Sequence, residues 1–303
     1  MSTKTENKPA LSYETATGII EFTLKSDIMF RYVMQRSNAA LTGLVCALKG
    51  ISPSDVKELR VENPIDLNNA AKETIMDLKL TLNNDEIMNI ELQVYPDQNW
   101  IPRSILYLCR AYDSIGKSEN YALLKPTTLY CITDRNLIPN ALPEFYAKYK
   151  LINTENHTLY TDKIGINVLQ LNHTELATQK DIDNNLVYWA ELFKATTWEE
   201  FKTLAKDNPS IKEVGTMIFE LNYDNQAKEL LEGQRRYREM MNSQYSYGVI
   251  DTKKEMQPII DNLENENSSL KGKNSNLIGE NNDLNDENER LKALLKEHGI
   301  SDK

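Results

Sequence analysis

TIMDLKLTLNNDEIMNIELQVY, residues 74–95, alternates apolar and polar side chains in the manner of two β-strands joined by a turn. The predicted apolar face carries Met76, Leu78, Leu80, Leu82, Met88, Ile90, Leu92 and Val94. A three-residue connection within 83–86 is rich in residues that favour turns. We therefore expect an antiparallel β-hairpin with one buried face.

The other face of this hairpin gathers Asp77 from the first strand with Glu91 and Gln93 from the second. Opposed residues of an antiparallel pair point to the same side of the sheet, so a register that keeps both apolar rows together sets Asp77 opposite either Glu91 or Gln93. Two carboxylates and a carboxamide on one rigid patch suit a hard divalent cation. The alternative interpretation is an ordinary polar face turned to solvent, which hairpins commonly have.

The segments around the hairpin predict an α/β domain, because a strand–helix–strand order follows it. Ser26 and Asn38 are expected to cap two helices, and Gly50 to end the second one. The expected elements are helices at 26–34, 38–48, 101–115, 181–205 and 210–231, and strands at 127–133 and 165–171.

The C-terminal segment has the heptad pattern of a coiled coil. One seam position carries Leu263, Leu270, Leu277, Leu284 and Leu291, and the other carries Ile260, Asn267, Asn274, Asn281, Asn288 and Leu295. Asparagine in the seam favours parallel, in-register pairing of two helices. Glu266 with Lys271 and Glu287 with Lys292 have the spacing of interchain ion pairs, so we expect a parallel dimer.

Composition excludes few classes of protein. The net charge of −10 weighs against a nucleic-acid binder, but half of that charge lies after residue 254, and residues 21–130 carry 14 acidic and 12 basic side chains. Three isolated cysteines indicate buried free thiols in a reducing compartment. No signal peptide or membrane span is predicted, so we expect a cytoplasmic protein without membrane contact.

Short motifs along the chain resemble one known family. They are SDIMF (26–30), MDLKL around Asp77, IELQ (90–93), Arg103 with Tyr107, and LLKP (123–126). Over roughly 24–231 the chain is similar to the bacterial recombination-promoting nucleases, which are also described as transposases of the PD-(D/E)XK nuclease superfamily. The resemblance implies an α/β fold with a PD-(D/E)XK nuclease-like core, in which helices flank a mixed sheet. It also implies a metal-dependent DNA endonuclease that hydrolyses phosphodiester bonds in recombination, mobile elements or defence.

The resemblance also implies roles for individual residues. Asp77 and Glu91 would bind Mg²⁺, with Mn²⁺ as a possible substitute. Gln93 would take the position where the superfamily has lysine, a replacement common in this family, and Asp27 would be the acid of the first helix. The residues Arg103 and Tyr107 match the helix after the active-site strands and are candidate substrate contacts; the alternatives are that they brace the sheet and that Asp27 only stabilises a helix start.

The predicted organisation has five parts: a flexible N-terminal arm (1–20), the nuclease-like core (21–180), a helical extension (181–240), a linker (241–254) and the coiled coil (255–298). The expected partners are DNA and a second copy of the chain. Two other functions stay open. One is a catalytically silent DNA-binding or interaction protein that retains the nuclease fold, and the other is an adaptor whose coil recruits a partner.

Overall fold

The computed structural model of this chain describes residues 12–64, 78–83, 85–94, 99–116, 118–138 and 141–299. Contacts between Cα atoms divide the chain into two compact units, Met1–Arg238 and Glu239–Lys303. The first unit contains a mixed sheet with helices, which is consistent with the predicted PD-(D/E)XK nuclease-like core. The second unit is described by itself at the end of this subsection.

A six-stranded mixed sheet forms the centre of the first unit. Its strands are β1 (Leu59–Val61), β2 (Leu78–Leu82), β3 (Glu86–Leu92), β4 (Thr127–Thr133), β5 (Tyr146–Ile152) and β6 (Leu159–Gln170). They are arranged in the order β1-β2-β3-β4-β6-β5, with β3, β4 and β6 parallel and the remaining neighbours antiparallel. Parallel neighbours bring their carboxyl ends to the same end of the sheet, where ligands commonly bind in α/β folds.

The predicted hairpin is confirmed over the residues that the structure describes. Leu78 pairs with Ile90 and Leu80 with Met88, so the two apolar rows share one face. Residues 83–85 connect the strands, and Asn83 has a positive φ of 51°, which asparagine tolerates better than most residues. Asp77 and Asn84 lie outside the described residues.

Two strands, β1 and β5, were not expected from the sequence. β1 is only three residues long and lies at one edge of the sheet. β5 forms the opposite edge, and most of its side chains are exposed, so it lacks the alternation by which the hairpin is recognised. The strand expected at 165–171 is present but begins earlier, at Leu159.

Eight α-helices surround the sheet or follow it in the described residues. They are α1 (Asp27–Arg36), α2 (Asn38–Lys49), α3 (Trp100–Tyr112), α4 (Gln179–Asp183), α5 (Leu186–Lys194), α6 (Trp198–Ala205), α7 (Pro209–Tyr223) and α8 (Asn225–Glu297). The helix expected at 181–205 is therefore several helices. Asn185 has a positive φ of 60° before α5, and Thr197 starts α6 anew with a capping box to Glu200.

The caps of the first two helices differ from those expected. Ser37, not Asn38, is the N-cap of α2, and its hydroxyl accepts a hydrogen bond from the backbone N–H of Ala40. Ser26 holds the N-cap position of α1, but its side chain makes no capping hydrogen bond. Gly50 ends α2 in the left-handed conformation, as predicted, with φ of 70°.

Part of the predicted N-terminal arm is folded. The Tyr13 side chain is buried, and its ring meets the Trp198 ring edge-on at 6.1 Å between centroids. The backbone N–H of Ile20 donates to the carbonyl oxygen of Thr196 at 2.8 Å. Residues 12–20 therefore belong to the first unit, and the Tyr13 ring packs beside α6 and α7.

The two faces of the sheet pack against different layers. The Met88 and Ile90 face contributes to the large core, which includes buried residues of α1, α2, α5, α6 and α7. The opposite face carries a small cluster beneath α3, made of Trp100, Cys131, Ala147 and Val168. The sheet is thus covered on both sides, and α3 is the helix on the side of Glu91.

The inward side of α3 includes only part of the apolar residues that have helical spacing over 101–115. Ile101 and Ile105 are exposed, and the buried residues are Trp100, Ser104, Leu108 and Ala111. Cys109 also lies on the exposed side of this helix, so the expectation of three buried thiols is wrong at this position; Cys46 and Cys131 are buried and free. The rotation of the helix brings Arg103 towards the sheet.

The second unit begins within α8, which continues to Glu297. Residues 241–254, expected as a linker, are helical in the structure. All heptad positions lie on this one helix, and the seam leucines are exposed: Leu263, Leu270, Leu277, Leu284 and Leu291. Gly272 and Gly279 lie inside the helix, and no atom of the described chain lies within 4 Å of a Cβ built at either position.

Candidate active site

Glu91 and Gln93 lie at the carboxyl end of β3, on the face of the sheet that α3 covers. β3 pairs on one side with β2 and on the other with β4, where Glu91 is aligned with Cys131. The backbone N–H of Gln93 donates to the carbonyl oxygen of Ile132 at 2.8 Å, which extends the parallel pairing past the end of the strand. Both side chains are therefore fixed on a rigid central strand.

The polar face of the hairpin is buried. Glu91 is 4% exposed and Gln93 7%, and their neighbours Asn89 and Thr81 are buried as well. The interpretation of these residues as a solvent-facing polar surface therefore fails for the part that the structure describes. Burying an ionised carboxylate is costly unless a partner compensates the charge, so a glutamate at this position requires a structural or chemical reason.

Arg103 of α3 supplies the compensating charge. One of its guanidinium nitrogens donates to the carboxylate of Glu91 and to the carboxamide oxygen of Gln93. The guanidinium carbon lies 5.7 Å from the centroid of the Tyr107 ring, one turn further along the helix. The arginine is about one-third exposed, so it joins the buried pair to the surface. The structure thus brings together four of the six predicted site residues.

Asp27 is the first residue of α1, and its side chain is buried. Its Oδ2 atom forms an ion pair with the guanidinium of Arg238 on α8. Burial lowers the pKa of Arg238 to about 10, which leaves the guanidinium protonated at neutral pH. The second carboxylate oxygen, Oδ1, is also buried and makes no hydrogen bond within the described chain.

Asp77 lies outside the described residues, but its neighbour in the chain is placed. Leu78 begins β2 and pairs with Ile90, the residue before Glu91. Among the residues that the structure describes, no group of three or more His, Cys, Asp or Glu side chains forms a metal site.

The start of β2 is tied to α1 through Asn63. The Oδ1 atom of Asn63 accepts a hydrogen bond from the backbone N–H of Lys79 at 2.8 Å, and its backbone carbonyl accepts one from the buried Arg31 at 2.5 Å. Arg31 is one helical turn from Asp27, so the face of α1 that carries Asp27 is directed to this end of the hairpin.

A cavity of about 250 Å³ opens at the carboxyl ends of β3 and β4. Its lining includes Ser26 before α1, Val94 after β3, Asp134 after β4 and Arg238 of α8. Because Ser26 adjoins Asp27 and Val94 adjoins Gln93, the helix with the first acid starts beside the strand with the other site residues. The cavity thus lies at the end of the sheet where α/β folds commonly bind ligands.

Arg238 is a contact of Asp27 that no pattern in the sequence predicts. It belongs to a small basic cluster with Arg235 and Arg236, whose side chains are 46% and 75% exposed, whereas the side chain of Arg238 is 18% exposed. The contact spans 211 positions between Asp27 and Arg238. No local pattern indicates a pairing over such a distance.

Comparison with family models identifies a match over most of the chain. The model of the PD-(D/E)XK nuclease family transposases covers residues 24–248, which is more than half of the chain and includes every site residue described above. Comparison with curated proteins and with solved structures found no significant match. No helix in the described part of the chain has the length and hydropathy of a membrane span.

Proposed function

Because this chain belongs to the PD-(D/E)XK nuclease family transposases, a family of nuclease-type hydrolases that generally use divalent metal ions, we propose that it is a Mg²⁺-dependent DNA endonuclease. The observation that carries the proposal is the buried row of Glu91 and Gln93 beneath Arg103. Burial of a carboxylate lowers the stability of a fold, even when a partly exposed cation lies beside it. Such buried charged groups are common in active sites.

The donor set fits a hard cation. Glu91 offers a buried carboxylate, Gln93 a carboxamide oxygen, and Asp27 a buried oxygen without a hydrogen bond in the described chain. We assign Asp77 and Glu91 as the residues that would hold Mg²⁺, with Mn²⁺ as a substitute. A divalent cation at this position would neutralise phosphate charge and make a bound water more acidic.

The remaining residues act on the substrate and on water. The Gln93 carboxamide would orient the attacking water, since it can both donate and accept a hydrogen bond. The Arg103 guanidinium, partly exposed and stacked near Tyr107, would contact a DNA phosphate when the cation takes over the charge of Glu91. The Asp27 carboxylate would complete the site from α1.

The second unit supports an assembly of two chains. Its exposed leucines and asparagines follow one heptad seam along α8, so we propose that a second copy covers them in a parallel coiled coil. A two-fold dimer would present two cleavage sites, which suits breakage of both DNA strands. The proposed setting is the cytoplasm, in recombination, mobile elements or defence.

Plasmid cleavage tests the proposal. Wild-type protein with Mg²⁺ should nick or linearise supercoiled plasmid, and a chelator should abolish the reaction. Asp77→Asn and Glu91→Gln should each lose cleavage, because the substituted amides cannot neutralise the cation. Asp85→Asn is the matched control, since this acid lies exposed in the turn of the same hairpin.

Cleavage that persists in both site variants would overturn the assignment of the acids. Wild-type protein that shifts DNA in a gel but cleaves nothing with Mg²⁺, Mn²⁺ or Ca²⁺ would instead support a catalytically silent DNA-binding protein.

A further inference from the structure

The first part of α8 packs along the segment that leads into α1. Lys228 forms an ion pair with Glu21 at 2.6 Å, and the side chain of Leu231 is buried in the large core. These contacts hold the helix against the residues that precede Asp27. Further along the same side, Arg238 reaches Asp27 itself. This stretch of α8 is thus an integral part of the first unit, which ends at Arg238.

The two carboxylate oxygens of Asp27 have different surroundings in the described structure. The Asp27 side chain is 4% exposed and the Arg238 side chain 18%, so both charges are largely removed from water. The guanidinium contacts Oδ2, whereas Oδ1 is buried without a hydrogen bond within the described residues. Within the described residues, Arg238 thus holds one carboxylate oxygen of Asp27, and the other has no hydrogen-bond donor.

A buried carboxylate of this kind needs a cation in order to stay ionised and keep one orientation. Carboxylates that bind metals are usually held through hydrogen bonds to residues outside the ligand set, and loss of such a partner costs about 10–100-fold in metal affinity or activity. Arg238 can be such a partner, because it contacts Oδ2 of Asp27. It also lines the same cavity as Ser26 and Val94.

We propose that Arg238 is a positioning residue of the candidate active site, which fixes Asp27 through Oδ2 so that Oδ1 can serve a divalent cation or its bound water. The inference rests on the proposed function, because it presupposes a metal site at this position. It extends the site beyond the α/β core to a helix that continues into the coiled coil.

Binding of Mn²⁺ to full-length protein, measured by isothermal titration calorimetry without DNA, tests the inference. Arg238→Met removes the charge but keeps an unbranched side chain, and it should weaken Mn²⁺ binding by about 10–100-fold. Arg238→Lys should regain part of the affinity, since it restores the charge without the planar fork. The control Arg236→Met alters an exposed arginine two positions away and should leave binding unchanged.

A double-mutant cycle separates positioning from a general effect on folding. If Arg238 acts through Asp27, Arg238→Met should have no further effect on Mn²⁺ affinity once Asp27→Ala is present. Additive losses would overturn the inference, as would unchanged or tighter binding by Arg238→Met. If Arg238→Met fails to fold, the same cycle with Arg238→Lys decides the question.

The failure of the inference and that of the proposed function give different results. Wild-type protein that binds Mn²⁺ while Arg238→Met binds it equally well overturns the inference alone. Wild-type protein that binds no Mn²⁺ overturns the metal-dependent function and, with it, the role of Arg238.

Discussion

Arg103 on α3 donates to the buried carboxylate of Glu91 on β3. The two residues are only 12 positions apart, and the strand and helix that carry them are adjacent in the chain. The contact therefore forms as soon as α3 packs on the hairpin. The Arg103 guanidinium thus lies where the proposed function requires Mg²⁺. Either cation would compensate the negative charge of Glu91.

Replacement of Arg103 by methionine should destabilise the protein by about 2 kcal/mol, because Glu91 would lose its charged partner inside the fold. The loss should be smaller in Mg²⁺ than in a chelator, since a cation bound to Glu91 favours the folded state. Urea unfolding under both conditions measures the effect.

Arg110→Met serves as its control, because Arg110 is an exposed arginine on the same helix. Equal destabilisation of Arg103→Met with and without Mg²⁺, in protein known to bind the ion, would contradict the proposed position of the metal at Glu91.

The hairpin could be predicted because its signal is local. The alternation of residues such as Leu80 and Met88 fixes which side chains share a face, and the observed register of Leu78 with Ile90 preserves that sharing. The same alternation predicts that Gln93 lies on the same face of the sheet as Glu91. It does not show whether that face meets water or a helix, so the burial of Glu91 and Gln93 emerges only from the packing of α3.

Other features could not be predicted from the sequence, and each has a physical reason. β1 and β5 are edge strands, whose partly or largely exposed side chains need no alternation. Ile101 and Ile105 have helical spacing, yet they are exposed, because the small cluster under α3 takes Trp100 instead. The partner of Asp27 depends on a contact across 211 positions, and such contacts follow from the whole fold.

Gly215 of α7 marks a close approach that should not tolerate a side chain. A Cβ atom there would lie 2.9 Å from Cε1 of Phe201 and closer still to the ring of Tyr13. We expect Gly215→Ala to destabilise the protein by about 1–3 kcal/mol, since both rings are buried and cannot easily move. Urea or thermal unfolding measures the change.

Gly233 of α8 provides the opposite case for comparison. No atom lies within 4 Å of a Cβ built at this position, so Gly233→Ala should stabilise the helix by about 0.5–1 kcal/mol. Destabilisation of both variants by the same amount would contradict the proposed packing of Tyr13 on α7.

Leu277 occupies the centre of the heptad seam and is 61% exposed in the single chain. Leu277→Lys should convert the proposed dimer into monomers, because a buried lysine at this seam position would lack a partner. Light scattering after gel filtration measures the mass. Asn276→Lys changes a neighbouring outward position and should leave the dimer intact; dissociation of both variants would argue against this seam.

Truncation after Gly248 separates cleavage from dimerisation. The shortened chain keeps the whole first unit, including the pair of Asp27 and Arg238, and loses the entire heptad segment. We expect a monomer that still nicks plasmid with Mg²⁺, because all the proposed site residues lie in the first unit. Linearisation should fall more than nicking, since breakage of both strands would draw on two sites held together by the coil. Loss of all metal-dependent cleavage in a folded truncated chain would contradict an autonomous nuclease unit and favour a role in which the coil itself is the active part.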